Sequence, residues 1–150
     1  MPWTYRHADK EWRAFLDDAK NRMSLDSDNM AYTAVDAVFQ TFRRRLTAQQ
    51  GLDFASVLPS VPRAIFVYGW LIADPPEPFA DRDAMTAEAK RVRVNHNLTP
   101  DNVIEAVAWA LRRSVDQRDL GRVLERLGRE AQAYWHVTVD DPEELAQRII

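Results

Sequence analysis

The 150-residue sequence contains no cysteine and only four glycines. The absence of cysteine excludes disulfides, thiolate metal ligands, iron–sulfur clusters and a cysteine nucleophile. Four glycines cannot supply a phosphate-cradling loop, and no P-loop, Gly-x-Gly-x-x-Gly or Gly-x-Ser-x-Gly motif occurs. The sequence therefore gives no support to the nucleotide-binding and hydrolase classes that these motifs mark.

Long apolar runs and an excess of one charge are also missing. The longest apolar stretch, Ala64 to Ala73, has about half the length of a membrane-spanning helix, and the N-terminus has no apolar leader segment. Twenty basic and twenty-three acidic side chains give a net charge of −3, without the basic excess of a nucleic-acid-binding protein. We therefore expect a cytoplasmic protein with no membrane partner, and we do not expect a nucleic-acid partner.

Patterns typical of catalytic and metal sites are sparse. The three histidines, His7, His96 and His136, are far apart, and none forms the i, i+4 pair or the Glu-x-x-His motif of a helical metal site. Adjacent carboxylates such as Asp17 and Asp18 point to different faces of a helix. We therefore predict no catalytic residues, no cofactor, no metal site and no enzymatic activity, while an active site assembled from distant residues stays open.

Apolar residues recur at helical spacing through most of the chain. Helices are predicted from about Ala8 to Arg22, from Asn29 to Leu46, after a capping box at Thr47 and Gln50, after Ser60, from about Asp83 to Val94, from Thr99-Pro100, after Asp116, and from Asp141 to the C-terminus. The sequence thus predicts a single all-α domain over residues 1–150, a helical bundle of about 7–9 helices.

Two parts of the sequence match each other at an offset of 69 residues. Residues 34–66 align without gaps on residues 103–135, so that the arginines at 43 and 44 coincide with those at 112 and 113. We predict an internal duplication into two similar halves. Repeat 1 covers about 8–72, a proline-rich connector covers 73–82, repeat 2 covers about 83–137, and a C-terminal helix covers 141–150.

The run from Ala31 to Trp70 combines an amphipathic helix that ends in arginines, a capped short helix, the Leu58-Pro59 element and a closing aromatic segment. In these features it resembles a bacterial family known as domain of unknown function 2267. Residues 96–135 resemble a second copy within the same domain, with Leu127-Gly128 in place of Leu-Pro. The resemblance implies an all-α, duplicated helical domain of the bacterial cytoplasm, and it brings no catalytic or ligand-binding residues.

Five arginines stand at the ends of two matched helices: Arg43, Arg44 and Arg45 in the first half, and Arg112 and Arg113 in the second. They could form two sites for a phosphate, a nucleic acid or an acidic partner. Alternatively, arginines in the last turn of a helix stabilise the negative end of its dipole, and their stems cover apolar surface. We favour this structural interpretation and keep contact with an anion or a partner as the alternative.

The segment from Phe66 to Trp70 is apolar on more than one side. One side should close the first half, and Phe66, Tyr68 and Trp70 are candidates for an interface with another subunit or protein. We therefore predict a non-enzymatic protein-interaction or regulatory module that self-associates or binds an unknown protein partner. The alternative is a protein that binds nucleic acid or a phosphate ligand through the arginine clusters.

Overall fold

The computed structural model describes residues 1–92, 99–148 and 150. Within this part of the chain the regular secondary structure is helical, without a β-strand, which confirms the predicted all-α fold. The helices are α1 (Trp3–Arg6), α2 (Ala8–Arg22), α3 (Asp28–Arg43), α4 (Ala48–Ala55), α5 (Ser60–Val67), α6 (Arg82–Arg91), α7 (Val103–Arg112), α8 (Gln117–Leu127) and α9 (Arg129–Tyr134), followed by a 3-10 turn at Pro142–Leu145. No helix among the described residues is long and apolar enough to cross a bilayer.

Polar side chains fix the starts of helices α4 and α8 as predicted. Thr47 and Gln50 form a capping box at α4, in which each side chain accepts a hydrogen bond from the other residue's N–H. The Asp116 carboxylate accepts bonds from two N–H groups in the first turn of α8. These caps satisfy N–H groups that have no partner within the helix, and they separate α4 from α3 and α8 from α7.

The predicted helix start at Thr99-Pro100 is wrong, because α7 begins at Val103. The Val103 N–H donates to the Pro100 carbonyl at 3.2 Å, which closes a turn over the preceding residues. The Asn102 side chain donates to the Arg22 carbonyl at the end of α2 at 3.1 Å. The residues before α7 therefore bind another helix and do not add a turn to α7.

The predicted C-terminal helix over 141–150 is also wrong. Among the described residues of this segment, only the 3-10 turn at Pro142–Leu145 is helical, and residues 146–148 are irregular. The Arg148 N–H donates to the Arg113 carbonyl at the end of α7 at 2.9 Å. Because the tail uses its main-chain groups to bind the end of α7, it does not continue as a helix.

The core joins the two halves of the chain. Helix α3 contacts α2, α5, α6 and α7. The Phe42 ring lies 5.0 Å from the Tyr134 ring and 5.3 Å from the Trp135 ring, measured between centroids. The buried Tyr134 hydroxyl donates to the Val38 carbonyl at 2.7 Å. The buried apolar residues of both halves form one cluster, so neither half has a separate core.

Several contacts recur at the 69-residue offset. Arg43 donates to the Phe66 carbonyl and Arg112 donates to the Trp135 carbonyl, each at 2.9 Å. In addition, α2 of the first half packs against α7, and α6 of the second half packs against α3. These matched contacts support the internal duplication, which stays a prediction.

Candidate interaction groove

Arg43 and Arg112 are bound to main-chain carbonyls inside the molecule. The Arg43 side chain is buried, and its Nη1 donates to the carbonyls of Phe66 and Tyr68 at 2.9 Å each, where α5 ends. The Nε of Arg112 donates to the Trp135 carbonyl, where α9 ends. Since a helix C-terminus is the negative end of the helix dipole, each guanidinium fastens the end of one helix to another helix.

Arg44, Arg45 and Arg113 lie beside carboxylates. The Nη1 atoms of Arg45 and Arg44 lie 2.7 Å and 3.2 Å from the same oxygen of Glu88 on α6. The Nε of Arg113 lies 3.6 Å from a carboxylate oxygen of Asp18 on α2. The arginines of both clusters therefore interact with carbonyl or carboxylate groups of the same chain.

Burial and pairing shift the pKa values of this network. Desolvation lowers the pKa of the Arg43 and Arg112 guanidiniums. Burial acts on the Glu88 carboxyl in the opposite direction, but the hydrogen bond and charge of Arg45, together with Arg44, outweigh it and lower the pKa of Glu88. An incoming anion would have to compete with these internal partners, which supports the structural interpretation of the arginine clusters.

The three aromatic residues predicted as an interface have different surroundings. Phe66 is fully buried, so the interface prediction is wrong for this residue, whose side of α5 faces the core and the Phe54 ring. Trp70 is partly buried and lies over Gly51 of α4, where an added Cβ would overlap its ring. Tyr68, by contrast, is 82% exposed. Of the three residues, Tyr68 is the one best placed for contact with another molecule.

Helix α1, which the sequence analysis did not predict, brings a further aromatic residue to this surface. The Ser60 hydroxyl donates to the Thr4 carbonyl at 2.9 Å, and the Ser60 N–H donates to the Thr4 hydroxyl at 3.2 Å. Arg63 donates to the Tyr5 hydroxyl at 3.4 Å. These bonds hold α1 against α5 and leave the Tyr5 side chain half exposed.

A groove of about 690 Å³ opens between α1, α3 and α5. This volume is within the range of about 300–1,000 Å³ that is typical of ligand pockets. Three tyrosines, apolar residues of α5 and several polar residues line it: Tyr5, Tyr32 and Tyr68; Val61, Ala64 and Ile65; Asp36, Gln40, Arg43 and Ser60. The structure thus brings Arg43 and Tyr68, both candidates from the sequence, to one concave surface.

The polar groups of the groove carry opposite charges. The Gln40 side chain donates to the Asp36 carboxylate at 2.9 Å, and the Arg43 guanidinium belongs to the same lining. The groove therefore presents one carboxylate, one guanidinium, an amide and hydroxyl groups among aromatic rings. Such a lining suits a neutral segment with apolar side chains and a hydrogen-bonding main chain better than a highly charged ligand.

Exposed apolar side chains also occur at the end of α5 and in the chain directly after it. Val67, Tyr68, Leu71 and Ile72 are close together in the sequence after the body of α5, and Leu71 is 92% exposed. We call these four residues the apolar rim. Tyr68 belongs to both the rim and the groove lining, and exposed apolar surface on a folded chain marks candidate sites of contact with other molecules.

Sequence reasoning missed most of the α3 wall of the groove. Tyr32, Asp36 and Gln40 recur every four residues and are all half buried, so they form one stripe beside the core face of α3. This spacing was available in the sequence. The groove itself was not, because it also needs Tyr5 from α1 and the packing of α5 against α3.

Histidines and carboxylates do not assemble into a metal site within the described parts of the chain, where no three of them are grouped to hold an ion. The His7 ring lies against the Trp3 ring, with centroids 3.8 Å apart and the ring planes tilted by 37°, and His136 follows α9. His96 and the predicted helix end at Val94 lie outside the described residues.

Comparison with known proteins places the chain in a family. A family model described as "Uncharacterized conserved protein (DUF2267)" matches residues 12–134. A search of curated proteins found no match to the chain. The matched region runs from within α2 to the end of α9, so it contains the α3 and α5 walls of the groove and excludes α1. Because the match covers most of the sequence, the chain belongs to the DUF2267 family.

Proposed function

We propose that this chain is a non-enzymatic, cytoplasmic interaction or regulatory module that docks another protein through the groove and its apolar rim. The observation that carries the proposal is the position of the exposed Tyr68 side chain. This side chain lines the groove and also belongs to the apolar rim. A partner could therefore insert side chains into the groove and cover the rim in a single contact.

The energetic argument rests on exposed apolar area. Tyr68 and Leu71 are almost fully exposed, and Ile72 is half exposed. Each apolar square ångström removed from water contributes about 25 cal/mol, so a partner that covers these side chains gains binding free energy. Tyrosine is also enriched at binding hot spots, because its ring has an apolar body and its hydroxyl forms hydrogen bonds.

The groove supports a protein partner more than a phosphate ligand. Its guanidinium, Arg43, already donates to two carbonyls, and the Asp36 carboxylate lies in the same lining. An anion would be repelled by that carboxylate. Binding of nucleic acid or a phosphate ligand through the arginine clusters is therefore the weaker alternative.

Site-specific photocrosslinking in the organism that encodes the chain tests this function. A benzophenone amino acid replaces Tyr68 in one variant and Arg122, an exposed residue of α8, in a control variant. We expect a discrete adduct with another protein from position 68 and no such adduct from position 122. The same adducts from both positions, adducts only between copies of this chain, or no adduct from position 68 would contradict the proposal.

A further inference from the structure

One residue of the groove wall on α3 corresponds, at the 69-residue offset, to a tryptophan on α7. Gln40 of α3 lines the groove, and the residue 69 positions later is Trp109 of α7. The two helices share their register, because Arg43 and Arg112 make corresponding bonds to the carbonyls of Phe66 and Trp135. The Gln40 amide on α3 therefore lines the groove, whereas the corresponding position of α7 carries the Trp109 indole.

The surroundings of Trp109 show how this chain holds an indole against a helix. The guanidiniums of Arg22 and Arg113 lie 4.9 Å and 4.6 Å from the centre of the Trp109 ring. The indole N–H donates to the Glu144 carboxylate in the C-terminal segment at 3.0 Å. Trp109 is only 9% exposed. Its ring packs against two guanidiniums, and its N–H has a carboxylate as acceptor.

The groove contains groups of the same kinds, a guanidinium and a carboxylate, next to aromatic rings. The Arg43 guanidinium, which also lies 6.0 Å from the centre of the Trp70 ring, and the Asp36 carboxylate, which accepts a bond from Gln40, line the groove together with the tyrosine rings. We propose that the groove receives an aromatic side chain, in particular an indole, from a segment of the partner protein. This inference rests on the proposed function and names the anchor by which the partner docks.

The charges of the groove select the chemistry of this anchor. With one carboxylate and one guanidinium in the lining, neither an acidic nor a basic side chain gains a net electrostatic advantage. A neutral ring packs against the tyrosines in stacked or edge-on geometry and against Arg43 through its face. An indole does both and also donates one hydrogen bond, whereas an aliphatic side chain supplies none of these contacts.

A titration with a tryptophan fragment tests the inference. N-acetyl-L-tryptophanamide is added to the ¹⁵N-labelled protein, and the main-chain amide signals of Ser60, Ala64 and Gly69 are followed, since these residues line the groove. We expect saturable shifts with a dissociation constant on the order of 1 mM, as for a fragment of this size. N-acetyl-L-alaninamide should shift the same signals at least about tenfold less at equal concentration.

Two variants fill the groove from opposite walls. Gln40→Trp places an indole on α3, and Ala64→Phe places a ring on the exposed side of α5. Each variant should abolish the amide shifts caused by the tryptophan fragment. If one variant fails to fold, the other still tests the inference. The matched control is Gln49→Trp, which adds an indole to an exposed position of α4 and should bind the fragment like the original chain.

Each outcome bears on a different claim. The anchor inference is overturned if the fragment causes no saturable shifts, if the alanine analogue binds equally, or if both folded groove variants still bind. If crosslinking at Tyr68 captures a protein while the fragment fails, the interaction function stands and the anchor is wrong. If the fragment binds but no protein is captured, the groove is a site for a small molecule. Both the interaction function and the inference of an aromatic anchor on a partner protein would then be wrong.

Discussion

Replacing Arg43 with methionine separates a structural arginine from a ligand-binding one. Methionine keeps an unbranched side chain of similar reach, so it continues to cover apolar surface while it removes the guanidinium. The change leaves the carbonyls of Phe66 and Tyr68 without the donor that lies 2.9 Å from each of them. The loss should therefore appear in the free energy of unfolding.

The magnitude follows from the number and kind of bonds. A hydrogen bond from a charged donor contributes about 1.5–3 kcal/mol to stability. Removing the guanidinium from its buried position also removes a desolvation cost, the same cost that lowers its pKa. For two bonds we expect Arg43→Met to reduce the free energy of unfolding by about 2–4 kcal/mol. Arg112→Met, which removes one bond to the Trp135 carbonyl, should cost about 1–2 kcal/mol.

Urea unfolding followed by circular dichroism measures these changes. The control is Arg122→Met on α8, where the side chain is 71% exposed and lies 3.9 Å from Asp119, and its effect should stay within about 0.5 kcal/mol. If Arg43→Met is no less stable than Arg122→Met, the internal ties do not stabilise the fold. The reasoning that assigns Arg43 a structural role would then be refuted.

Three further changes test other parts of the structure. Gly51→Ala should displace the Trp70 ring from α4 and cost about 1–3 kcal/mol of stability, seen in unfolding and in a changed tryptophan emission spectrum; an unchanged spectrum and stability would show that the ring does not pack there. Tyr134→Phe removes the buried bond to the Val38 carbonyl and should cost about 1–3 kcal/mol, and a neutral effect would mean that this carbonyl finds another donor. Because the folded-state pKa of Glu88 is lowered, its contribution to stability is present above its ordinary unfolded pKa of 4.5 and is lost as the pH falls through the folded value. The stability of Glu88→Gln should therefore depend less steeply on pH below about 4.5 than that of the original chain, and equal slopes in acid would contradict the pairing with Arg45.

The helices could be predicted from the sequence because their signals are local. The capping box of Thr47 and Gln50 and the cap at Asp116 lie where periodicity changes phase, and both caps form as predicted. The start of α7 and the C-terminal segment could not be predicted in this way. There, Asn102 and Arg148 bind the ends of distant helices, and such tertiary bonds outweigh local helix propensity.

The candidate site was predicted only in part because it is assembled from three helices. The exposure of Tyr68 agrees with the interface prediction, whereas the burial of Phe66 two residues earlier contradicts it. An apolar segment in the sequence does not indicate which of its residues faces the core when a helix ends within it. Tyr5 carries no sequence signal of its own, since its place in the groove depends on the bonds between Thr4 and Ser60.

The most direct test of the groove as a docking surface combines the crosslinker at position 68 with a filled groove. The amount of partner adduct is measured by mass spectrometry in the original chain, in Gln40→Trp and in the control Gln49→Trp, after each variant is shown to be folded. We expect Gln49→Trp to form as much adduct as the original chain and Gln40→Trp to form at least about tenfold less. Equal amounts of adduct from folded Gln40→Trp and Gln49→Trp would contradict docking through the groove.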